Sequence, residues 1–263
     1  MGKEKQLEAM GRLLHIMDEL REKCPWDHKQ TMESLRCNTI EETYELSEAV
    51  LDNNLDEVRK ELGDLLLHVV FYAKIGQEKG AFDFVDVANG ICEKLIVRHP
   101  HVFGGTQVRS DADIRSNWEK IKLSEGRKSV LEGIPEGLPA MIKAVRLQEK
   151  AQGIGFDWSE NDGSWKKLKE EMAEFEAELE NGTAENREGE FGDMLFALIK
   201  CARNNHINPE NALERTNRKF KARFQTMESL IQKDGRQLKD MELSEMEPYY
   251  YKAKEILNQK DNR

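Results

Sequence analysis

"KELGDLLLHVVF" (60–71) and "GEFGDMLFALIK" (189–200) are the two stretches on which the fold turns. Each is apolar enough to be the centre of a buried helix. Yet each opens with two carboxylates three residues apart, Glu61 and Asp64 in the first and Glu190 and Asp193 in the second. A glycine, Gly63 or Gly192, stands just before each aspartate. Acids at i and i+3 share one face of a helix. On a helical wheel the glycines point away from that face, toward the packed side. Mid-helix glycine costs about 1 kcal/mol relative to alanine, so close approach of another helix is the expected compensation.

The flanking sequence extends the match. Residues 39–73 align without a gap to 168–202, and each position is answered 129 residues later. Both segments carry E-E-x-x-E upstream: Glu41, Glu42 and Glu45 in the first, Glu170, Glu171 and Glu174 in the second. Farther on, Lys94 and Arg98 are answered by Lys219 and Arg223, at an offset of 125. A repeat this long is too long for a solenoid unit and reads as a duplicated helical domain.

Alternating β-branched runs are almost absent, and nearly every periodic segment fits a 3.6-residue repeat. The expected fold class is all-α. Helices are expected at about 5–22, 32–52, 55–79, 84–98, 111–123, 139–152, 162–181, 184–205, 209–234 and 242–258. Asn208 followed by Pro209 is one of several capping signals. Residues 125–138 are rich in glycine and proline and read as a linker. The expected organisation is an N-terminal domain at 1–124, that linker, and a C-terminal domain at 139–263.

The turns decide whether the acids meet. Asn53–Asn54 is the expected turn of the first hairpin, with Glu45 eight residues before it and Glu61 seven after. Asn181–Gly182 plays the same part in the second, with Glu174 seven before and Glu190 eight after. At 1.5 Å per residue, each second pair returns to the level of its first, roughly 11–12 Å above the turn. If the faces also match, Glu42, Glu45, Glu61 and Asp64 converge, as do Glu171, Glu174, Glu190 and Asp193. All-oxygen, all-anionic donor sets suit a hard divalent ion, Mg²⁺ or Mn²⁺. A di-iron bundle needs Glu-x-x-His pairs, and none of the six histidines has a glutamate three residues before it. His68 shares the acidic face, but Ala197 stands at its counterpart, so core packing is expected of it.

Near a metal, Lys94/Arg98 and Lys219/Arg223 could hold phosphate oxygens; the alternative is a solvated basic face. Trp118 and Tyr250 could stack on a nucleobase or pack in the interior. The net charge of −10 argues against a general nucleic-acid or anionic-membrane surface. The longest apolar run, around Leu65–Ala73, is broken by His68 and is too short to span a bilayer. Cys24, Cys37, Cys92 and Cys201 form no close pair, which suits a reducing, cytoplasmic setting without a zinc or CxxC motif.

With "CPWDHKQT", "EETYE", "ELGDLLLHVVFYA", "RHPHVF" and "GFDW", the chain resembles MazG-type nucleoside triphosphate pyrophosphohydrolases in their two-domain bacterial form. The resemblance covers essentially the whole sequence. It implies tandem all-α domains whose hairpins form four-helix bundles, usually in a homodimer. It also implies Mg²⁺-dependent hydrolysis of nucleoside and deoxynucleoside triphosphates to the monophosphate and pyrophosphate. By that resemblance the C-terminal half is catalytic. Glu171, Glu174, Glu190 and Asp193 are then the metal ligands, and Lys219, Arg223 and Lys167 contact phosphates. Tyr250 stands where relatives have a tryptophan. Glu170 or one of the ligands is the candidate base. The N-terminal set, with Lys94, Arg98 and Trp118, is complete enough to be a second site. The alternatives are a nucleotide sensor without turnover and a helical interaction scaffold.

Overall fold

The computed structural model describes residues 2–107, 110, 113–114, 117–118, 121, 126, 128–156 and 161–261. Among these the chain is helical and contains no strand. It divides into two compact units, Met1–Gln107 and Val108–Arg263. The helix expected at 111–123 falls largely outside the described residues, as do Asp157 and Trp158 of "GFDW".

The first unit contains α1 (Lys3–Lys23), α2 (Pro25–His28), α3 (Met32–Leu51), α4 (Leu55–Glu78), α5 (Phe84–Arg98) and α6 (Pro100–Phe103). The one-turn helices α2 and α6 were not expected; each begins with proline at its first position, where the missing N–H costs nothing. Thr31 starts α3 with a reciprocal capping box to Ser34. The α3–α4 turn uses Asn53 in the left-handed region (φ 52°), which asparagine tolerates better than most residues. Asn54 then caps α4 by accepting from the Glu57 amide. Met17, Leu35, Val70, Phe71 and Ile75 form the core, so α1 packs on the later turns of α4.

Within the single chain, the expected close approach at Gly63 is not made. A Cβ there would meet nothing within 4 Å, and the same holds for Gly192. Gly63 lies on the stripe that is buried two turns later at Val70, short of the reach of α1. Close approach in α4 falls at Gly76 instead, where a Cβ would lie 2.7 Å from the Phe82 ring.

Arg21 ties the unit together. Its guanidinium pairs with both carboxylate oxygens of Glu78, one bond being 2.9 Å, and lies 5.5 Å from the Phe71 ring centroid. It also donates to the carbonyls of Asp27 and Gln30. His28 Nδ1 donates to the Arg21 carbonyl at 2.9 Å. One side chain thus fastens the "CPWDHKQ" segment to α1 and α4.

The second unit contains α7 (Ala140–Gly153), α8 (Asn161–Asn181), α9 (Ala184–Asn204), α10 (Pro209–Lys233), a 3₁₀ turn at Leu238–Asp240 and α11 (Leu243–Asp261). Asn208 caps α10 as expected. Helices α8 and α9 form the hairpin that answers α3 and α4, while α10 packs on α11. One core joins Met227, Ile231, Met241 and Ala253; another joins Leu168, Ala197 and Cys201. Gln148 of α7 donates to the Phe196 carbonyl of α9 at 2.8 Å. Part of the glycine- and proline-rich stretch is tied down as well. Buried Lys150 donates to the carbonyls of Val130 and Glu132, at 3.0 and 3.1 Å.

Candidate metal centres

The matched turns do bring acids together, three in each hairpin. Glu42, Glu45 and Glu61 each offer a carboxylate oxygen within 4.8 Å of the others, and so do Glu171, Glu174 and Glu190. Asp64 and Asp193 stand outside these groups, exposed on the next turn of their helices. Asp64 is near enough for its charge to act on Glu42 and Glu61.

The electrostatics of the first group follow from its crowding. Burial raises the Glu42 carboxyl above its ordinary value, and the charges of Asp64 and Glu45 raise it further. Burial and Glu61 raise Glu45, and burial with Glu42 and Asp64 raises Glu61. Glu61 Oε2 is buried and has no hydrogen-bond partner. An orphaned buried acceptor among mutually repelling carboxylates is the environment that a divalent cation relieves. Hard oxygen donors match Mg²⁺ or Mn²⁺, so the residues present fit such an ion.

The second group is partly offset by a cation of its own. Lys167 lies 2.6 Å from Glu170 and 2.8 Å from Glu171, and these two hydrogen bonds raise its ammonium above the ordinary lysine value. Glu171 is buried, Glu190 half-buried and Glu174 exposed. Burial, then Glu171, raises the Glu174 carboxyl. At the counterpart of Lys167 the first hairpin has Asn38, which is uncharged.

The same offset exposes residues outside the acidic motif. His68 is buried in the core as expected, but it does not pack there as a bare ring. Its Nδ1 lies 2.9 Å from Thr39 Oγ1, which is 2.8 Å from Tyr72 OH. Burial lowers the His68 imidazole below its ordinary value. The counterparts of Thr39, His68 and Tyr72 are Leu168, Ala197 and Cys201, the apolar cluster of the second hairpin. The sequence already sets His68 against Ala197; the same scan for unlike residues at the repeat offset adds Thr39 and Tyr72.

A family model for the MazG nucleotide pyrophosphohydrolase domain matches residues 30–103. A nucleoside triphosphate pyrophosphohydrolase/pyrophosphatase MazG of Thermotoga maritima is 44% identical over 247 residues, which is 92% of this chain and 94% of that protein. The chain belongs to the MazG family. A nucleoside triphosphate pyrophosphohydrolase of Escherichia coli K12 is 37% identical over 257 residues, covering 94% of this chain and 98% of that relative. One of Mycobacterium tuberculosis is 41% identical over 151 residues, 56% of this chain and 46% of that protein. The family model therefore falls on α3 to α6 of the first unit, whereas the long alignments run through both units.

The basic and aromatic candidates of this MazG chain are less gathered than its acids. Lys219 and Arg223 lie on α10, where Arg223 leans on Asn258 of α11 at 3.4 Å and its buried Nε has no partner. Among the described residues, no hydrogen bond or ion pair joins either to the Glu171 group. Tyr250 is half-buried on α11 with its ring 6.2 Å from Phe220. On α5, Lys94 is exposed and Arg98 half-buried. Trp118 falls in the second compact unit, half-buried.

Proposed function

We propose that this protein hydrolyses nucleoside and deoxynucleoside triphosphates to the monophosphate and pyrophosphate, with Mg²⁺ held by the second acidic group. One observation carries the reading: three glutamates close on one another at the same register in both hairpins. The names of the full-length relatives support the substrate class.

Glu171, Glu174 and Glu190, with Asp193 one turn on, are the residues that hold the ion, and Glu42, Glu45, Glu61 and Asp64 are their equivalents in the first hairpin. When bound, Mg²⁺ (or Mn²⁺) neutralises phosphate charge and makes a bound water more acidic. The chain's own residues do the rest. Lys167, paired with Glu170 and Glu171 in the free protein, moves its ammonium onto phosphate oxygens when the triphosphate enters. Glu170 is then free to take the proton of the attacking water. Water adds to phosphorus, the bond to the pyrophosphate oxygen breaks, and Lys219 and Arg223 balance the charge that leaves. Tyr250 offers a ring to the base.

Assembly as a homodimer belongs to the same reading. Leu62, Leu66 and Val69 form an exposed stripe on α4, and their counterparts Phe191, Leu195 and Leu198 form the same stripe on α9. Matched apolar stripes on two-helix hairpins are what pairing into four-helix bundles would cover.

The test is to incubate the protein with Mg²⁺ and a panel of triphosphates, and to compare Glu190→Gln with Glu61→Gln. Equimolar monophosphate and pyrophosphate, abolished by Glu190→Gln, is the expected result. Full activity in Glu190→Gln would move catalysis away from the second group.

A further inference from the structure

Three hydrogen bonds converge on one atom beside the first acidic group. Thr39 Oγ1 lies 3.0 Å from the Leu35 carbonyl, 2.9 Å from His68 Nδ1 and 2.8 Å from Tyr72 OH. The hydroxyl has one proton, and the carbonyl can only accept. All three contacts are satisfied in one arrangement alone: Oγ1 donates to Leu35 and accepts from His68 and from Tyr72. His68 is thereby assigned the Nδ1–H tautomer. The His68 and Tyr72 rings also meet edge to face, 6.5 Å apart.

This knot joins α3 to α4. Thr39 is three residues before Glu42 and His68 is seven after Glu61, so the knot crosses the hairpin about one turn from the acids on α3 and about two turns from the acid on α4. Hydrogen bonds are directional and fix the rotation of one helix against the other; apolar contacts are not directional. The second hairpin holds the same level with Leu168, Ala197 and Cys201, all buried and all apolar or nearly so. The first group thus has a clamp and no lysine, and the second has a lysine and no clamp.

We propose that Thr39, His68 and Tyr72 are positioning residues for the first acidic group, holding Glu42, Glu45 and Glu61 at the separation that makes it the tighter of the two divalent-cation sites. This rests on the reading that the first group takes such an ion.

The experiment measures Mn²⁺ binding by calorimetry and electron paramagnetic resonance. The parent carries Glu190→Gln, which leaves the first group intact. Thr39→Val keeps the shape and removes the acceptor, and its Mn²⁺ dissociation constant is expected to rise about tenfold, the size seen when support of metal ligands is lost. Thr39→Ser restores the oxygen and should bind within about twofold of the parent. A triple variant, Thr39→Leu with His68→Ala and Tyr72→Cys, installs the core of the second hairpin. It is expected to keep its helical circular dichroism and still bind weakly, which separates positioning from folding. Parent-like Mn²⁺ affinity in Thr39→Val or in the folded triple variant overturns the clamp and leaves the first site standing. A parent that binds no Mn²⁺ overturns both.

Discussion

Replacing Arg21 by methionine should destabilise the first unit by about 3–4 kcal/mol. Arg21 is 8% exposed and its partner Glu78 is 38% exposed. Breaking a fully buried pair by removing one partner costs about 3–5 kcal/mol. Here water can reach Glu78 once the guanidinium is gone, so about 2–3 kcal/mol is the appropriate share. The carbonyls of Asp27 and Gln30 lose a charged donor as well, worth about 1 kcal/mol net because their segment can hydrate. The methionine stem keeps most of the contact with Phe71. Against a typical stability of about 5–15 kcal/mol, the loss should lower the melting temperature of a unit this size by at least about 12 °C. The pH dependence adds a second check. Arg21 holds the Glu78 carboxyl below its ordinary value. The pair therefore contributes fully above the unfolded carboxylate value, near about 4.3, and less as pH falls through the lowered folded value. The gap between wild type and variant should narrow in acid toward the share of about 1 kcal/mol carried by the carbonyl bonds. Thermal melts followed by circular dichroism at several pH values make the measurement. A variant that melts within about 3 °C of wild type at neutral pH, or a gap that does not narrow in acid, would show that Arg21 is not the tie described.

The metal-free first group should make the fold weaker as pH rises. Glu42, Glu45 and Glu61 are held above their ordinary values, so they carry no penalty below the unfolded value near about 4.3 and a growing one as pH climbs through the raised folded values. Mg²⁺ should consequently raise the melting temperature at about pH 7.5 and far less at about pH 4.5, and Glu61→Gln should stabilise the metal-free protein at the higher pH; melts with Mg²⁺ and with a chelator decide it. Lys150→Met should release the segment it holds at Val130 and Glu132. Limited proteolysis with trypsin should then cleave after Lys128 about tenfold faster, as expected for two lost bonds from a charged donor, while an unchanged rate would mean that other contacts hold that segment.

Most of the helical architecture was open to reading because it rests on local chemistry. The Thr31 box, the Asn54 and Asn208 caps and the 3.6-residue apolar rhythm each set a helix end or face within a few residues. The meeting of Glu42, Glu45 and Glu61 was legible for a related reason, since equal helix lengths on either side of a turn set level by simple rise. Rotation about each helix axis is not set by counting: three glutamates of each hairpin close on one another, Asp64 and Asp193 stand one turn on, and Gly63 and Gly192 are open in the single chain. Tight packing at Gly76 was invisible because it depends on where the turn at 80–84 places Phe82.

The likenesses of the repeat locate the shared chemistry; what distinguishes the halves lies in the unlike positions. Asn38 against Lys167 changes which hairpin carries its own cation, and Thr39, His68 and Tyr72 against Leu168, Ala197 and Cys201 change how each hairpin is held. Neither difference alters the E-E-x-x-E or E-x-x-D pattern, so a motif scan scores the halves as equals. Physically they are not equal. A carboxylate group with one of its acids already paired to an internal ammonium gains less from a cation than one with a buried oxygen left unpartnered. Duplication followed by changes of this kind can give one chain a site that retains its ion and another that turns over, while every acid that defines the family stays in place.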